Sequence, residues 1–287
     1  MPTPGELARP DPWLATAMAD LVHLSDPSDP TLGDYAALTD PALRKRYEHQ
    51  RGVLIAEGPN PVRELVASPY RVRSLLLAEE RVSEVSDLLV EVDAPAYVVP
   101  RDVLYELVRF PLHQGVLGCG ERRAPLQVAA VTGGTRRLLV LEGLNDHENL
   151  GTLFRSARGL GYGGVLLGPG CADPLYRRSV RVSMGHVLRV PFARAQGTTS
   201  ALLAELHGAG FTTVALTPDV DAQDLRDLAA GLEHEPTAVV LGAEGPGLTE
   251  DALAGAHVRA RIPMRAGVDS LNVAAAGAIA MHALSPR

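Results

Sequence analysis

Between Leu138 and Leu284 short, predominantly apolar runs alternate with longer stretches of helical periodicity. The runs are Leu138–Leu141, Val165–Leu167, Leu188–Val190, Thr213–Leu216, Ala238–Leu241 and Ala260–Ile262. A strand that is apolar at successive positions is buried on both faces, so the pattern predicts a mostly parallel sheet covered by helices on either side. The intervening segments supply them, at Glu148–Leu160, Leu175–Met184, Thr199–His207, Ala222–Ala229, Glu250–Ala254 and Leu271–Leu284.

A shorter α/β series precedes this one. Its expected strands are Val53–Ala56, Ser74–Ala78, Tyr97–Val99 and Gly115–Cys119, with helices at Pro61–Ala67, Val82–Val90 and Asp102–Arg109. The chain therefore divides into an extended, Pro-rich arm (1–35), a small α/β domain (36–124), a linker (125–136) and a larger parallel α/β domain (137–287). Within the small domain, Asp40 is placed to cap a helix over Pro41–His49.

Bulk composition removes several classes. With 46% hydrophobic and 21% charged residues the chain is globular. No apolar run reaches the roughly 18 residues of a membrane span. The first residues lack the apolar core of a secretory signal, so a cytoplasmic location is expected. Cys119 and Cys171 have no CxxC partner, and no histidine pair has HExxH spacing, so no metal is expected. Lys45 is the only lysine, which excludes a phosphate loop of the GxxxxGK[ST] type.

Charge is unevenly spread. The formal net charge is −7, yet Arg136 to Arg194 holds nine arginines against four acids, and Glu205 to Asp251 holds ten acids against one arginine. A local basic surface can hold phosphates on an acidic protein, although two differently solvated faces would look the same.

Four segments carry candidate chemistry. Gly242, Gly245 and Gly247 follow a strand, where a turn can bring backbone N–H and C=O groups up to a ligand; Glu244 sits in that turn. Asn149 and Arg155 lie on the first helix after Leu138–Leu141. Arg177, Arg178 and Arg181 are clustered on one helix, suited to bidentate phosphate binding or to simple solvation. Ile262, Met264, Ser270, Leu271 and Asn272 form the last turn before an Ala-rich helix. By contrast, Gly159-Leu160-Gly161-Tyr162-Gly163-Gly164 follows a helix and precedes a strand, the wrong order for a dinucleotide fingerprint.

Taken in order, Leu141–Ala157, Arg181-Val182-Ser183-Met184-Gly185, Leu241–Leu248 and Ile262–Val273 resemble the TrmH (SpoU) family of RNA 2'-O-ribose methyltransferases of the SPOUT superfamily. The resemblance spans Leu138 to Leu284. Ile55-Ala56-Glu57-Gly58 is similar, with less specificity, to the substrate-binding domain found ahead of that module. The resemblance implies a trefoil knot in the C-terminal domain, a topology that pattern reasoning alone would not propose. It implies S-adenosylmethionine bound at Gly242, Ile262 and Leu271, with Glu244, Gly247 and Met264 beside them. It further implies a homodimer through the C-terminal domain and structured RNA, rRNA or tRNA, as substrate.

On that reading Arg155 meets the target ribose, Asn149 orients Arg155 or the substrate, and Glu244, Ser270 and Asn272 hold the pocket. Arg155, Arg177, Arg178 and Arg181, with Arg44, Lys45 and Arg46 in the small domain, are the expected RNA contacts; Arg51, Arg71 and Arg73 are further candidates. Two other readings stand beside it: a protein that binds S-adenosylmethionine and RNA without catalysis, and a nucleotide-dependent oxidoreductase.

Overall fold

The computed structural model describes residues 19–36, 38, 48, 50–109, 112 and 114–285. Of the expected helix over Pro41–His49 only Glu48 is described; Arg44, Lys45 and Arg46 lie outside the described residues, as does the expected arm before residue 19.

The first sheet contains β1 (Leu21–His23), β2 (Val53–Glu57), β3 (Val72–Ala78), β4 (Ala96–Val99) and β5 (Val116–Glu121) in the order β1-β4-β3-β5-β2. β1, β4 and β3 run parallel, whereas β5 is antiparallel to both β3 and β2. Helices α1 (Pro59–Val66), α2 (Ser86–Leu89) and α3 (Arg101–Val108) connect them. Strand periodicity sorts the side chains: Val53 and Ile55 join Leu76 and Leu117 in one apolar cluster, while Leu54 and Ala56 join Leu75 and Leu77 in another.

Residues 19–36 depart from the extended arm expected there. Leu21–His23 adds an edge strand beside β4, and a 3₁₀ turn over Pro30–Tyr35 buries Leu32 and Tyr35 completely. Asp29 starts that turn by accepting from the Thr31 N–H (2.9 Å), and the Tyr35 hydroxyl donates to the Ser74 carbonyl (2.9 Å). Two apolar residues three apart are too little periodicity to read as structure, yet each buried side chain contributes about 1.5–3 kcal/mol.

The second sheet is entirely parallel, in the order β10-β12-β9-β11-β6-β7-β8. Its strands are β6 (Arg137–Leu141), β7 (Gly164–Leu167), β8 (Phe192–Arg194), β9 (Thr212–Leu216), β10 (Gln223–Asp224), β11 (Thr237–Leu241) and β12 (Val258–Arg261). A short α4 (Val128–Thr132) precedes it, so part of the expected linker is helical, and Leu126 pairs with Ala193 at the sheet edge. Helices α5 (His147–Gly159), α6 (Arg177–Val182), α7 (Thr199–Gly208), α8 (Leu225–Leu232), α9 (Glu250–Gly255) and α10 (Val273–Ala283) complete the domain. Leu139, Leu141, Val165 and Val239 pack with Leu150, Leu153 and Phe154 of α5, and Leu138, Val140 and Ala238 with Leu202 and Leu206 of α7.

The strand expected at Leu188–Val190 is a correction. His186–Leu188 is a 3₁₀ turn, and the strand begins after Pro191. Val187, Leu188 and Val190 are buried there as core residues. Gly185 permits the turn with φ 83°, and its missing side chain lets the small domain approach: a Cβ would lie 2.8 Å from Pro61 Cα.

Ion pairs fasten the same junction. Glu57 at the end of β2 accepts from Arg177 (2.8 Å) and lies 3.5 Å from Arg181. Glu64 on α1 pairs with Arg158 (2.9 Å), and Arg122 with Asp173 (2.7 Å). The imidazole of His186 stands 3.6 Å from Glu64, and its Nδ1 is buried without a hydrogen-bond partner.

Arg137 is a buried cation with no carboxylate partner among the described residues. Its guanidinium donates to the carbonyls of Leu284 (2.9 Å), Arg136 (3.1 Å), Leu232 (3.2 Å), Glu233 (2.6 Å) and Glu235. These include the last carbonyls of α8 and the C-cap of α10, where a positive charge is favoured by the helix dipoles. Arg137→Met strands those acceptors and is expected to cost about 3 kcal/mol, read as a lowered midpoint in denaturant unfolding; an unchanged midpoint would contradict the clamp.

Burial pulls the His186 imidazole below its ordinary value, and Arg158, Arg155 and Arg189 act in the same direction against Glu64. His207 is lowered by burial and by the adjacent His257. The unfolded chain therefore takes up protons that the folded chain refuses, and stability falls as pH drops below about 6.5. His186→Gln should flatten that slope in unfolding measured at stepped pH.

Candidate active site

The turns after three neighbouring strands meet at the carboxyl edge of the parallel sheet. They enclose a cavity of about 490 Å³, within the size range of small-molecule sites. Its lining includes Gly242, Glu244 and Gly247 after β11, Ile262 and Met264 after β12, and Ser270, Leu271 and Asn272 at the head of α10. All the residues expected to hold a cofactor are thus brought to one cavity.

The turn after β11 folds back on itself. Ala243 and Gly247 exchange backbone hydrogen bonds (3.2 and 3.0 Å), and Gly245 and Gly247 adopt φ 84° and 74°. A Cβ on Gly242 would lie 2.2 Å from Gly247 C and Leu248 N, so any side chain there forces the turn open. Its far end is anchored by Glu142, a buried carboxylate that accepts from the Thr249 N–H (2.8 Å) and hydroxyl (3.1 Å). Thr249 in turn caps α9 by accepting from Ala252 N–H (3.2 Å).

Asn272 joins the cavity to the helix that carries the other expected residues. Its Nδ2 donates to Asn149 Oδ1 (2.9 Å) and to Glu244 Oε1 (2.9 Å). Its Oδ1 accepts from the N–H groups of Ala274 (3.0 Å) and Ala275 (3.1 Å), capping α10. Asn149 is placed by the start of α5, where Asp146 accepts from the Glu148 and Asn149 N–H groups (2.9 and 2.8 Å). Asn149 is therefore bound to Asn272 and not to Arg155. Arg155 lies further along α5, exposed, outside the cavity lining and with no hydrogen-bond or ion-pair partner among the described residues. It is close enough to His186 to act on its charge.

The arginines of α6 stand differently from the phosphate cluster expected. Arg177 is committed to Glu57 and to the Leu38 carbonyl (3.2 Å), because the acid at the end of β2 is pressed against α6. Arg178 pairs with Glu148 (2.6 Å), and Arg181 faces Glu57; each keeps about half of its side chain exposed. In the small domain Arg71 pairs with Glu121 and Arg73 with Asp34 (3.2 Å each). The glycines from Gly159 to Gly164 form the turn from α5 into β7, at the opposite edge of the sheet from the cavity.

Two contributors escaped sequence reasoning. Leu216, Thr217, Pro218 and Asp219, following β9, supply another wall of the cavity; their signal was position after a strand of a parallel sheet, where ligands gather. Glu142 gave the same signal as an acid directly after β6.

A doubly covered parallel sheet with a cavity at its carboxyl edge is the arrangement of a ligand-binding α/β protein. The chain belongs to the SpoU rRNA methylase family, whose profile matches residues 136–282. Residues 55–119 match the RNA 2'-O ribose methyltransferase substrate-binding domain. It is 44% identical to an uncharacterized tRNA/rRNA methyltransferase of Mycobacterium bovis, over 92% of this chain and 91% of that one. It is 26% identical to the 23S rRNA (guanosine(2553)-2'-O)-methyltransferase RlmP of Bacillus subtilis, over 84% and 91% of the two chains. Among solved structures, the AdoMet-bound rRNA methyltransferase from Sinorhizobium meliloti superposes with a TM-score of 0.76 at 26% identity, covering 92% of this chain and 97% of the other.

The dual role of Asn272 separates two substitutions. Asn272→Ala removes the cap of α10 and is expected to cost about 1 kcal/mol. Asn272→Asp keeps the cap acceptor, gains the favourable charge at the helix start, and sets a carboxylate against Glu244. Thermal unfolding should therefore show the alanine variant losing its cap and the aspartate variant losing less; equal losses would remove the capping role.

Proposed function

We propose that this protein methylates a ribose 2'-hydroxyl in structured RNA, rRNA or tRNA, using S-adenosylmethionine. The observation that carries the reading is the Asn272 amide, which ties the cavity wall at Glu244 to the start of the helix bearing Arg155. The cavity suits the donor: it is of small-molecule size, and its tight turn brings peptide groups of residues 242–248, other than those paired between Ala243 and Gly247, up to the ligand space. Gly242, Gly247, Ile262, Met264 and Leu271 would hold it, with Glu244, Ser270 and Asn272 at the polar side. When bound, S-adenosylmethionine supplies a methyl group already activated on a sulfonium.

The protein's own work is then to position and polarise the acceptor. Alignment supplies a large share of the barrier reduction in such transfers. Arg155 holds the ribose and its phosphate and stabilises the negative charge that develops on the 2'-oxygen as its proton leaves. A guanidinium stays protonated, which fits it for this electrostatic role. Asn149 and Asn272 keep α5 in register with the cavity. The 2'-hydroxyl requirement also distinguishes RNA from DNA.

Three further features belong to the same reading. The segment from β12 to α10 threads as a trefoil knot, a reading supported by the lodging of α10 against α5 and β11 beside the turn that closes over the cavity. The functional unit is a homodimer, for which the exposed Val268 and Leu271 beside the cavity and Ile279 on α10 offer an apolar face. Its place is the cytoplasm, with its RNA; among the described residues no helix is long and apolar enough to cross a membrane.

Arg155→Ala is expected to abolish methyl transfer to total RNA, followed with a tritiated donor, while S-adenosylmethionine binding stays within a few-fold of wild type. Retained activity in that variant would end the assignment of Arg155. A wild-type protein that binds the donor but transfers nothing would favour the non-catalytic reading.

A further inference from the structure

A second and larger cleft runs between the small domain and the edge of the parallel sheet. It measures about 1150 Å³, beyond the roughly 300–1,000 Å³ of ordinary small-molecule sites. Pro69, Tyr70 and 122–124 come from the small domain, 125–129 from the linker, and 171–175 and 188–196 from the sheet side. Four arginines, Arg122, Arg123, Arg189 and Arg194, line it against two carboxylates, Asp173 and Glu205, and Asp173 is already neutralised by Arg122. On a chain of net charge −7 this is a locally cationic groove.

Its cations are of two kinds. Arg122 is half of a structural clasp, bonded to the Val53 carbonyl (2.7 Å), Asp173 and Glu48. Arg123 is exposed and has no hydrogen-bond or ion-pair partner among the described residues, and Arg194 uses one guanidinium nitrogen, on the Ala172 carbonyl (3.0 Å). Between the domains stand two apolar groups short of full burial: the partly buried Tyr70 ring, on whose phenol Arg123 and Arg122 both act, and Leu126, 41% exposed. The loop 168–175 links this cleft to the other site, since Gly143 N–H donates to Pro169 O (2.8 Å) and Gly143 abuts Ala243 of the cavity turn.

We propose that this interdomain cleft binds an unpaired stretch of the substrate RNA, its phosphates on Arg123 and Arg194 and a base against Tyr70 and Leu126. The proposal rests on the RNA-methyltransferase reading given above. Free cations and apolar side chains in one groove suit a strand whose bases are unstacked; in a duplex the base faces are covered. The cleft's length of lining suits several nucleotides and exceeds what a mononucleotide would fill.

The test uses the full chain with a fluorescein-labelled oligouridylate and an RNA duplex of equal length. The wild type is expected to prefer the oligouridylate. Arg123→Glu combined with Arg194→Ala should weaken it about tenfold or more and flatten its salt dependence. Leu126→Ser, at an exposed site, should weaken it without changing the salt slope. Thermal unfolding and calorimetric binding of S-adenosylmethionine should stay as in wild type. Unchanged oligouridylate affinity in these variants, while the wild type still methylates total RNA, overturns the cleft alone. A preference for the duplex also overturns it. If wild type neither binds RNA nor methylates it, the RNA reading itself falls, and direct binding of labelled polyglutamate would then point to an acidic protein partner.

Discussion

One carboxamide organises the site. Asn272 closes the cavity because its two ends do different work: the nitrogen reaches Asn149 and Glu244, and the oxygen holds the first N–H groups of α10. An aspartate has no donor end, and a leucine of the same shape has neither. Its partners come from the turns after β6 and β11, which are adjacent in the sheet and aligned in register from Thr237 opposite Arg137 to Leu241 opposite Leu141. That register brings Asn149 and Glu244 within reach of one side chain although they are far apart in the chain.

The small domain is held as firmly as the cavity. Glu57 and Glu64 draw four arginines of the larger domain towards one face of the smaller one, and Gly185 removes the side chain that would keep them apart. Much of the positive charge between Arg136 and Arg194 is spent on this junction and on the Arg137 clamp. What remains for an anionic partner is a short set of uncommitted guanidinium groups, Arg123 and Arg155 foremost.

The parallel domain was legible because a sheet buried on both faces writes itself as largely apolar runs, and the cavity because Gly242, Gly245 and Gly247 follow one of them. Leu188–Val190 misled for a related reason: apolar residues report burial, and the turn ahead of Pro191 buries Val187, Leu188 and Val190 as well as a strand would. The edge strand Leu21–His23 was illegible, since an edge position leaves Leu21 exposed and asks for no pattern. The partners of Arg177 could not be read at all, because Glu57 lies on another domain and only the docking of α6 on β2 brings the two together. Arg155 was singled out by the family resemblance alone, and its isolation among so many paired arginines is what the structure adds.

The buried guanidinium of Arg137 also sets an order of events. It belongs to the first strand of the parallel sheet, yet its acceptors include the carbonyl of Leu284, 147 residues later. Until residues 232–235 and then Leu284 have been made and packed, that charge lacks most of the carbonyls that hold it. The first strand of the large domain is thus completed by residues far along the chain, and truncation of the last helix removes one of the five carbonyls that hold its cation.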